Sequence, residues 1–150
     1  MYRQVKINES CTPFQRILWR NNTNEPIQTY ELTTVTYGTT AAPYLSTKTL
    51  QQLAFMMKNT YPTGYSIIMR DFYVDDLLTG ANETSQLDVI KHQVNQILAS
   101  GKFELRKWAS NKLEFCNDMY NSTVSNIVLD LDKSDVVSTL GLQWNVQFYC

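Results

Sequence analysis

The sequence has 150 residues, of which 43% are hydrophobic, 12% aromatic and 18% charged, and its formal net charge is −1. This length suits one modest core, and the composition excludes a disordered tail. No apolar run approaches the roughly 20 residues of a membrane span, and the near-neutral charge is not that of a free-standing nucleic-acid binder. The opening MYRQVKINES holds no apolar secretory core. We therefore expect an intracellular protein, cytoplasmic or nuclear, with no membrane partner.

The cysteines and the histidine bear on two further kinds of site. Cys11, Cys116 and Cys150 are odd in number and far apart, and His92 is the only histidine. This pattern argues against a disulfide framework and a zinc site, and it fits a reducing compartment. A catalytic Cys–His pair stays open, although His92 falls on the polar face of a predicted helix, as a solvated surface histidine does.

The first part of the chain has a β-like pattern followed by a helical one. FQRILWR and IQTYELTTVTYG alternate or carry β-branched and aromatic residues, and NNTNEP between them is typical of a turn, so we predict a hairpin leading toward Gly38. Pro43 then suits the first turn of a helix, and Pro62 stands just beyond its end. Apolar residues at helical spacing support this helix: Leu45, Leu50, Leu53, Ala54 and Met57.

The middle of the chain predicts a strand hairpin and a second helix. YSIIMRDFYVDDLLTG is predicted to form two short strands around a tight turn. A second helix is predicted over 84–100, capped by Asn82 or Thr84 and followed by Gly101 at its end. Its apolar stripe consists of Leu87, Ile90, Val94, Ile97 and Leu98.

The last third of the chain is predicted to be mostly strand. KFELRKW and SNIVLDL each suit a strand, and VSTLGLQWNVQFYC suits a hairpin that turns near Trp144 and Asn145. The order of elements predicts an α+β fold, with two helices on one face of a largely antiparallel sheet.

Asp75 and Asp76 interrupt an apolar, β-prone run. Adjacent carboxylates repel each other, and burial of either one is unfavourable unless a cation meets it. Neighbouring side chains of an extended strand point to opposite faces, but at the bend of a hairpin both acids could reach one hard divalent cation that serves phosphoryl chemistry. Alternatively, one acid is a turn residue and the other is merely solvated, and the pair alone does not decide between these readings.

Several motifs in order resemble one family. FYVDD resembles the aromatic–x–Asp–Asp turn in the palm domain of reverse transcriptases. TVTYGTTAAPYLSTKTL resembles the strand-to-helix segment of the nucleotide pocket, ILASGKFELRKW the following helix–Gly–strand segment, TLGLQWN the primer-grip hairpin, and MYRQVKI the end of the first palm motif. The sequence as a whole most resembles the BEL/Pao group of LTR retrotransposons, and the resemblance covers essentially the full chain.

The resemblance implies a fold, an activity and a set of partners. The fold would be palm-like, with part of a fingers hairpin and a primer-grip-like hairpin. The activity would be RNA-directed DNA polymerisation, in which two Mg²⁺ ions support extension of a DNA primer by dNTPs on an RNA or DNA template. Asp75 would be a ligand of the catalytic ions, and Asp76 would assist metal binding or shape the turn. The remainder of a retroelement polyprotein would be a further partner.

Further residues of the nucleotide site follow from the same resemblance. Tyr2 would be the aromatic gate that excludes a ribose 2′-hydroxyl, and packing at a strand end is its alternative. Tyr37 stands where retroviral enzymes usually carry Gln. Gly38 would let the backbone approach template or nucleotide, or it is a simple turn glycine. Tyr73 and Val74 would contact the primer end, with Val74 also at the nucleotide.

The C-terminal third would supply the remaining contacts. Lys107, or less readily Arg106, falls near the basic residue that steadies the leaving pyrophosphate, and a solvated lysine is the alternative. The primer grip would consist of Leu140, Gly141, Leu142 and Trp144, unless these residues form a plain hairpin packed on the core.

Parts of the family pattern fall outside this sequence. The resemblance places the family Asp that precedes the gate about four residues ahead of Met1. It places the fingers elements further upstream and the thumb after Cys150. The resemblance therefore implies a single partial reverse transcriptase domain over 1–150, which we expect to be inactive alone. A non-catalytic retroelement remnant, a nucleic-acid-binding module and an unrelated α+β interaction domain stay open as alternatives.

Overall fold

The computed structural model describes residues 1–105, 108, 110, 136–139 and 142–145. Within them the helices are α1 (Ala42–Met56), α2 (Pro62–Asp71) and α3 (Thr84–Ser100), and short 3₁₀ segments cover Tyr2–Gln4 and Glu9–Gln15. The strands form antiparallel pairs: β1 (Arg16–Trp19) with β2 (Gln28–Glu31), β3 (Phe72–Tyr73) with β4 (Asp76–Leu77), and β5 (Val136–Thr139) with β6 (Leu142–Asn145). The α+β class is thus confirmed, but these strands form separate pairs rather than the predicted larger sheet. None of the helices described is long and apolar enough to cross a membrane.

The core lies between the three helices. Helix α3 has the predicted bounds, and its apolar stripe at helical spacing buries Ile90, Val94, Ile97 and Leu98. Helix α1 begins with Pro43 in its first turn, as predicted, and buries residues at intervals of four. Full burial of one such aliphatic side chain contributes about 1.5–3 kcal/mol. Packing of these apolar stripes against one another therefore fixes the relative positions of the helices.

Helix α2 corrects a prediction, because its sequence was expected to begin a strand. Pro62 was expected only to follow the first helix, but it occupies the first turn of α2. Gly64, Ile67 and Ile68 are buried at helical spacing, and the helix contacts α1 and α3. The β-branched residues that suggested a strand are accommodated in a helix because packing against α3 outweighs their local preference.

The contact between α2 and α3 depends on Gly64. A Cβ atom at this position would lie 2.9 Å from the backbone carbonyl carbon of Gln93 and 2.9 Å from Ile97 Cδ1. The Gly64 amide also donates a hydrogen bond of 2.9 Å to Gln93 Oε1. The glycine therefore permits a close approach of the two helices that a larger residue would prevent.

The end of α3 differs in detail from its prediction. Glu83 is the N-cap residue and no side chain caps this end, so neither Asn82 nor Thr84 has the predicted role. Gly101 follows the helix as predicted, but its φ is −93°, and Lys102 is the residue with positive φ, 60°. A Cβ at Gly101 would lie 2.6 Å from Leu53 Cδ2, the end of a flexible side chain that can shift to make room.

The segment after α3 was predicted to be a strand, but residues 102–105 form none. The Phe103 amide instead donates to the Leu98 carbonyl at 2.9 Å, which closes the helix end, and Phe103 is buried in the core. The C-terminal hairpin pairing is confirmed, but Trp144 and Asn145 lie within strand β6 instead of at the predicted turn. The strand predicted for SNIVLDL lies outside the described residues.

The N-terminal hairpin is confirmed, with Arg16 opposite Glu31 and Trp19 opposite Gln28. All eight of its strand residues are exposed, so it stands apart from the core. After β2 the chain pairs with the N-terminal segment, where Val35 N donates to the Val5 carbonyl at 2.9 Å. This pairing brings Tyr2 close to Tyr37.

Candidate metal and nucleotide site

The acidic pair lies at a tight hairpin turn, where the sequence predicted a bend. Phe72 pairs with Leu77 and Tyr73 pairs with Asp76, so Val74 and Asp75 form a two-residue loop. The preceding helix α2 places this hairpin at the edge of the helical core. Two adjacent carboxylates are therefore presented at the surface, and both Asp75 and Asp76 are exposed.

Val74 has an unusual backbone conformation in this loop. Its φ is 57°, whereas Asp75 has no positive φ. Positive φ at the first loop residue alone is the pattern of a type II′ turn, which normally carries glycine there. A β-branched residue in this region is strained by about 1–3 kcal/mol, and such strain is concentrated at functional sites.

Asp75 and Asp76 have different surroundings. Phe72 and Leu77 pack against the core, whereas Tyr73 is 64% exposed and shares the outer face with Asp76. Asp75 instead lines a cavity of about 390 Å³. The structure therefore places Asp75, but not Asp76, among the residues that line this space.

The cavity is lined by both apolar and polar groups. Leu50, Leu98 and Phe103 contribute apolar surface, and Gln4 and Glu104 join Asp75 as polar lining residues. Glu104 was not foreseen from the sequence, because it lines the same cavity as Asp75 only through the turn that ends α3. Two carboxylates and an amide in one cavity of mixed polarity form a polar ligand site of limited size.

The N-terminal segment joins this cavity to the aromatic residues predicted at the nucleotide pocket. Tyr2 and Tyr37 pack edge to face, with ring centroids 5.0 Å apart and an angle of 84° between the rings. Gln4 lies in the same Tyr2–Gln4 turn and donates to the Lys102 carbonyl at 3.2 Å. The structure therefore brings Tyr2 and Tyr37 together, and Gln4 of the same N-terminal turn as Tyr2 lines the cavity with Asp75. Tyr2 also packs against the core, as its alternative interpretation expects.

Gly38 follows Tyr37 and has a φ of 81°, a conformation that L side chains rarely adopt. A Cβ at this position would meet no protein atom within 4 Å. The turn conformation alone accounts for the glycine, and the space beside it is open to solvent.

The donor chemistry of the hairpin suits a hard cation. Mg²⁺ binds through one or two carboxylates and completes its shell with water and phosphate oxygens, and Asp75 with its neighbour Asp76 supplies such carboxylates. In the part of the chain that the structure describes, no group of three or more acidic, histidine or cysteine side chains is placed to hold an ion. Asp75 and Asp76 would therefore hold such an ion together with water and substrate oxygens.

Another acidic residue, Asp71, lies beside the hairpin, and no role for it was predicted from the sequence. Asp71, at the end of α2, accepts hydrogen bonds from Arg70 Nε at 2.6 Å and from Thr79 Oγ1 at 2.7 Å. The Arg70 guanidinium holds the pKa of the Asp71 carboxyl below its ordinary value, and Thr79 adds to this effect while burial opposes it. No linear motif marks this network, because Thr79 reaches Asp71 only when the hairpin forms.

This pKa shift predicts a pH dependence. Because the pKa of Asp71 is lower in the folded than in the unfolded state, its network stabilises the protein fully above about pH 4 and loses this effect as pH falls through the folded pKa. Asp71→Asn should therefore lower the free energy of unfolding at pH 7, and the gap to wild type should shrink toward pH 2. Urea unfolding at several pH values checks this, and a gap that stays constant would contradict it.

The structure describes only some of the site residues predicted in the C-terminal third. Lys107, Arg106, Leu140 and Gly141 lie outside the described residues. Leu142 and Trp144 lie in β6, where they pair with Thr139 and Val137 of β5. The backbone hairpin predicted for the primer grip is therefore present.

Comparison with known proteins adds no relative. No family model matches the chain, and neither the curated proteins nor the solved structures searched give a significant match.

Proposed function

We propose that this chain is the palm portion of an RNA-directed DNA polymerase, of the type found in BEL/Pao LTR retrotransposons. Its reaction would extend a DNA primer with dNTPs on an RNA or DNA template. The observation that carries the proposal is the strained two-residue turn that presents Asp75 at a cavity beside the Tyr2–Gln4 segment.

The side chains around the turn have distinct roles in this proposal. Asp75 and Asp76 bind magnesium, which when bound activates the primer hydroxyl and stabilises the departing pyrophosphate. Tyr73 offers an exposed ring to the primer end. Tyr2, supported edge-on by Tyr37, borders the sugar of the incoming nucleotide. Lys107 and the 140–144 hairpin are proposed to contact pyrophosphate and primer, respectively.

A non-catalytic nucleic-acid-binding module is the second candidate function. One observation favours it: the residues described do not assemble three metal-binding side chains. Such a module would use the exposed ring of Tyr73 for stacking, and its affinity for nucleic acid would not depend on a divalent ion at Asp75.

A Mn²⁺ titration of the 150-residue protein tests the metal role of the turn. Mn²⁺ substitutes for Mg²⁺ at oxygen-ligand sites and is detected by electron paramagnetic resonance. Because Asp75 is the acid that lines the cavity, Asp75→Asn should weaken binding by about tenfold, equivalent to about 1.4 kcal/mol, and Asp76→Asn by less. Asp88→Asn is the matched control, since Asp88 is an exposed acid on α3. Equal effects of Asp75→Asn and Asp88→Asn would contradict the proposal.

Primer–template and dTTP separate the two candidate functions. If the turn serves nucleotidyl transfer, a poly(rA)–oligo(dT) duplex with dTTP should raise the Mn²⁺ affinity of wild type, because binding of metal and nucleotide is linked reciprocally. The binding module predicts association with the duplex without this coupling. Primer extension in the same mixture is expected to stay at background, because the described acids form no three-ligand group.

A further inference from the structure

The strand pairing of the β3–β4 hairpin is very short. It contains two residue pairs, and an isolated two-stranded hairpin is at best marginally stable. Interactions outside the ladder must therefore hold the turn in place. Phe72 and Leu77 provide apolar contacts on one side, but such contacts are non-directional and do not specify the position of the loop.

Directional contacts occur at the base of the hairpin and converge on Asp71. The Leu78 amide donates to the Asp71 carbonyl at 3.1 Å, and Thr79 Oγ1 donates to Asp71 Oδ2 at 2.7 Å. Asp71 is therefore bonded through its backbone and its side chain to the segment that leaves β4. Arg70 completes the carboxylate shell with bonds of 2.6 Å and 2.9 Å.

The surroundings of Asp71 make these bonds a rigid connection. Its side chain is 11% exposed, so the carboxylate depends on protein donors rather than on water. Asp71 is also the last residue of α2, a helix that packs closely on α3 through Gly64. The exit of the hairpin is thus tied to the helical core through Asp71, by its backbone carbonyl and its mostly buried carboxylate.

We propose that Asp71 and Thr79 form a lock that fixes the position of the Asp75 turn on the core. Both are positioning residues, and neither contacts the metal. A residue with the positive φ of Val74 persists only where its surroundings constrain it, and the lock is one of these constraints. Opening it lets the turn leave this conformation, which moves Asp75 away from the cavity. The effect on metal binding rests on the proposed function, but the lock itself does not.

The first test measures the lock directly by amide hydrogen exchange. Thr79→Val keeps the shape of the side chain and removes the hydroxyl, whereas Thr79→Ser keeps the hydroxyl. In Thr79→Val the Leu78 amide should exchange several-fold to tenfold faster, and in Thr79→Ser at nearly the wild-type rate. Thr60→Val is the control, because Thr60 is an exposed threonine outside the hairpin. Unchanged exchange of the Val94 amide on α3 shows that the variant is folded.

Asp71→Asn provides a second route to the same conclusion if Thr79→Val does not fold. It keeps the side-chain shape but removes the charge that Arg70 and Thr79 bond, so Leu78 exchange should again accelerate. Unaltered Leu78 exchange in a folded Thr79→Val or Asp71→Asn protein would overturn the lock.

The second test asks whether the lock positions the carboxylate. Thr79→Val should lower the Mn²⁺ affinity several-fold, whereas Thr79→Ser should keep it near the wild-type value. Residue 79 is not itself a ligand of the ion. Faster Leu78 exchange with unaltered Mn²⁺ affinity would overturn the positioning role. If wild type shows no Mn²⁺ binding that depends on Asp75, the proposed function fails and the positioning role fails with it, whereas the exchange data still decide the lock.

Discussion

Replacing Gly64 with alanine is expected to lower the free energy of unfolding by about 1–3 kcal/mol, the usual effect of overpacking. In most helices this substitution would stabilise the protein by about 1 kcal/mol, because glycine has the lower helix propensity. Here the new methyl group would lie 2.9 Å from the backbone of Gln93 and from Ile97 Cδ1. Helices α2 and α3 would have to move apart, which would weaken the contact that supports the hairpin.

Urea unfolding followed by circular dichroism measures this effect, with Gly80→Ala as the control. A Cβ at Gly80 meets no atom within 4 Å, so this change should alter stability by about 0.5 kcal/mol or less. If Gly64→Ala stabilises the protein instead, this result would contradict the close packing of α2 against α3 at Gly64. The helical conformation of 62–71 would then be in doubt as well.

Truncating Ile97 to alanine should destabilise the protein by about 2–5 kcal/mol, since the side chain is fully buried and its loss leaves a cavity. The same substitution at Ile27, which is 59% exposed, should cost about 1 kcal/mol or less. The two variants remove the same atoms, so their difference isolates the effect of burial. Equal losses in urea unfolding would show that α3 is not the centre of the core.

The sequence predicted α3 most accurately, because a long apolar stripe at a constant helical spacing identifies a helix without help from the rest of the chain. It also located the turn at Asp75, since two acids inside an apolar run are rarely placed in a strand. Helix α2 was missed, because its β-branched residues favour a strand locally and only contact with α3 reverses that preference.

The family resemblance assigned Tyr2 and Tyr37 to one pocket, and the structure brings them together. The rest of the candidate site was predictable only where its residues are neighbours in the chain. Tyr73, Val74, Asp75 and Asp76 share one motif, and the β3–β4 hairpin presents them as a group. The hydrogen bond between Thr79 and Asp71 forms only in the folded chain. The same holds for the cavity that Asp75 and Glu104 line. Their association depends on the turn after α3 and on the register of a two-pair ladder, neither of which a linear pattern specifies.

The backbone of Val74 also has a consequence for how this protein would respond to selection in the laboratory. Glycine or asparagine would relieve the left-handed conformation at residue 74, so a screen for heat resistance should favour them there. A screen for nucleotide incorporation by a larger enzyme containing this segment would retain the valine, because its side chain lies beside the acids. Selection for thermal stability and selection for activity would then favour different residues at position 74, in line with the common trade-off between stability and function.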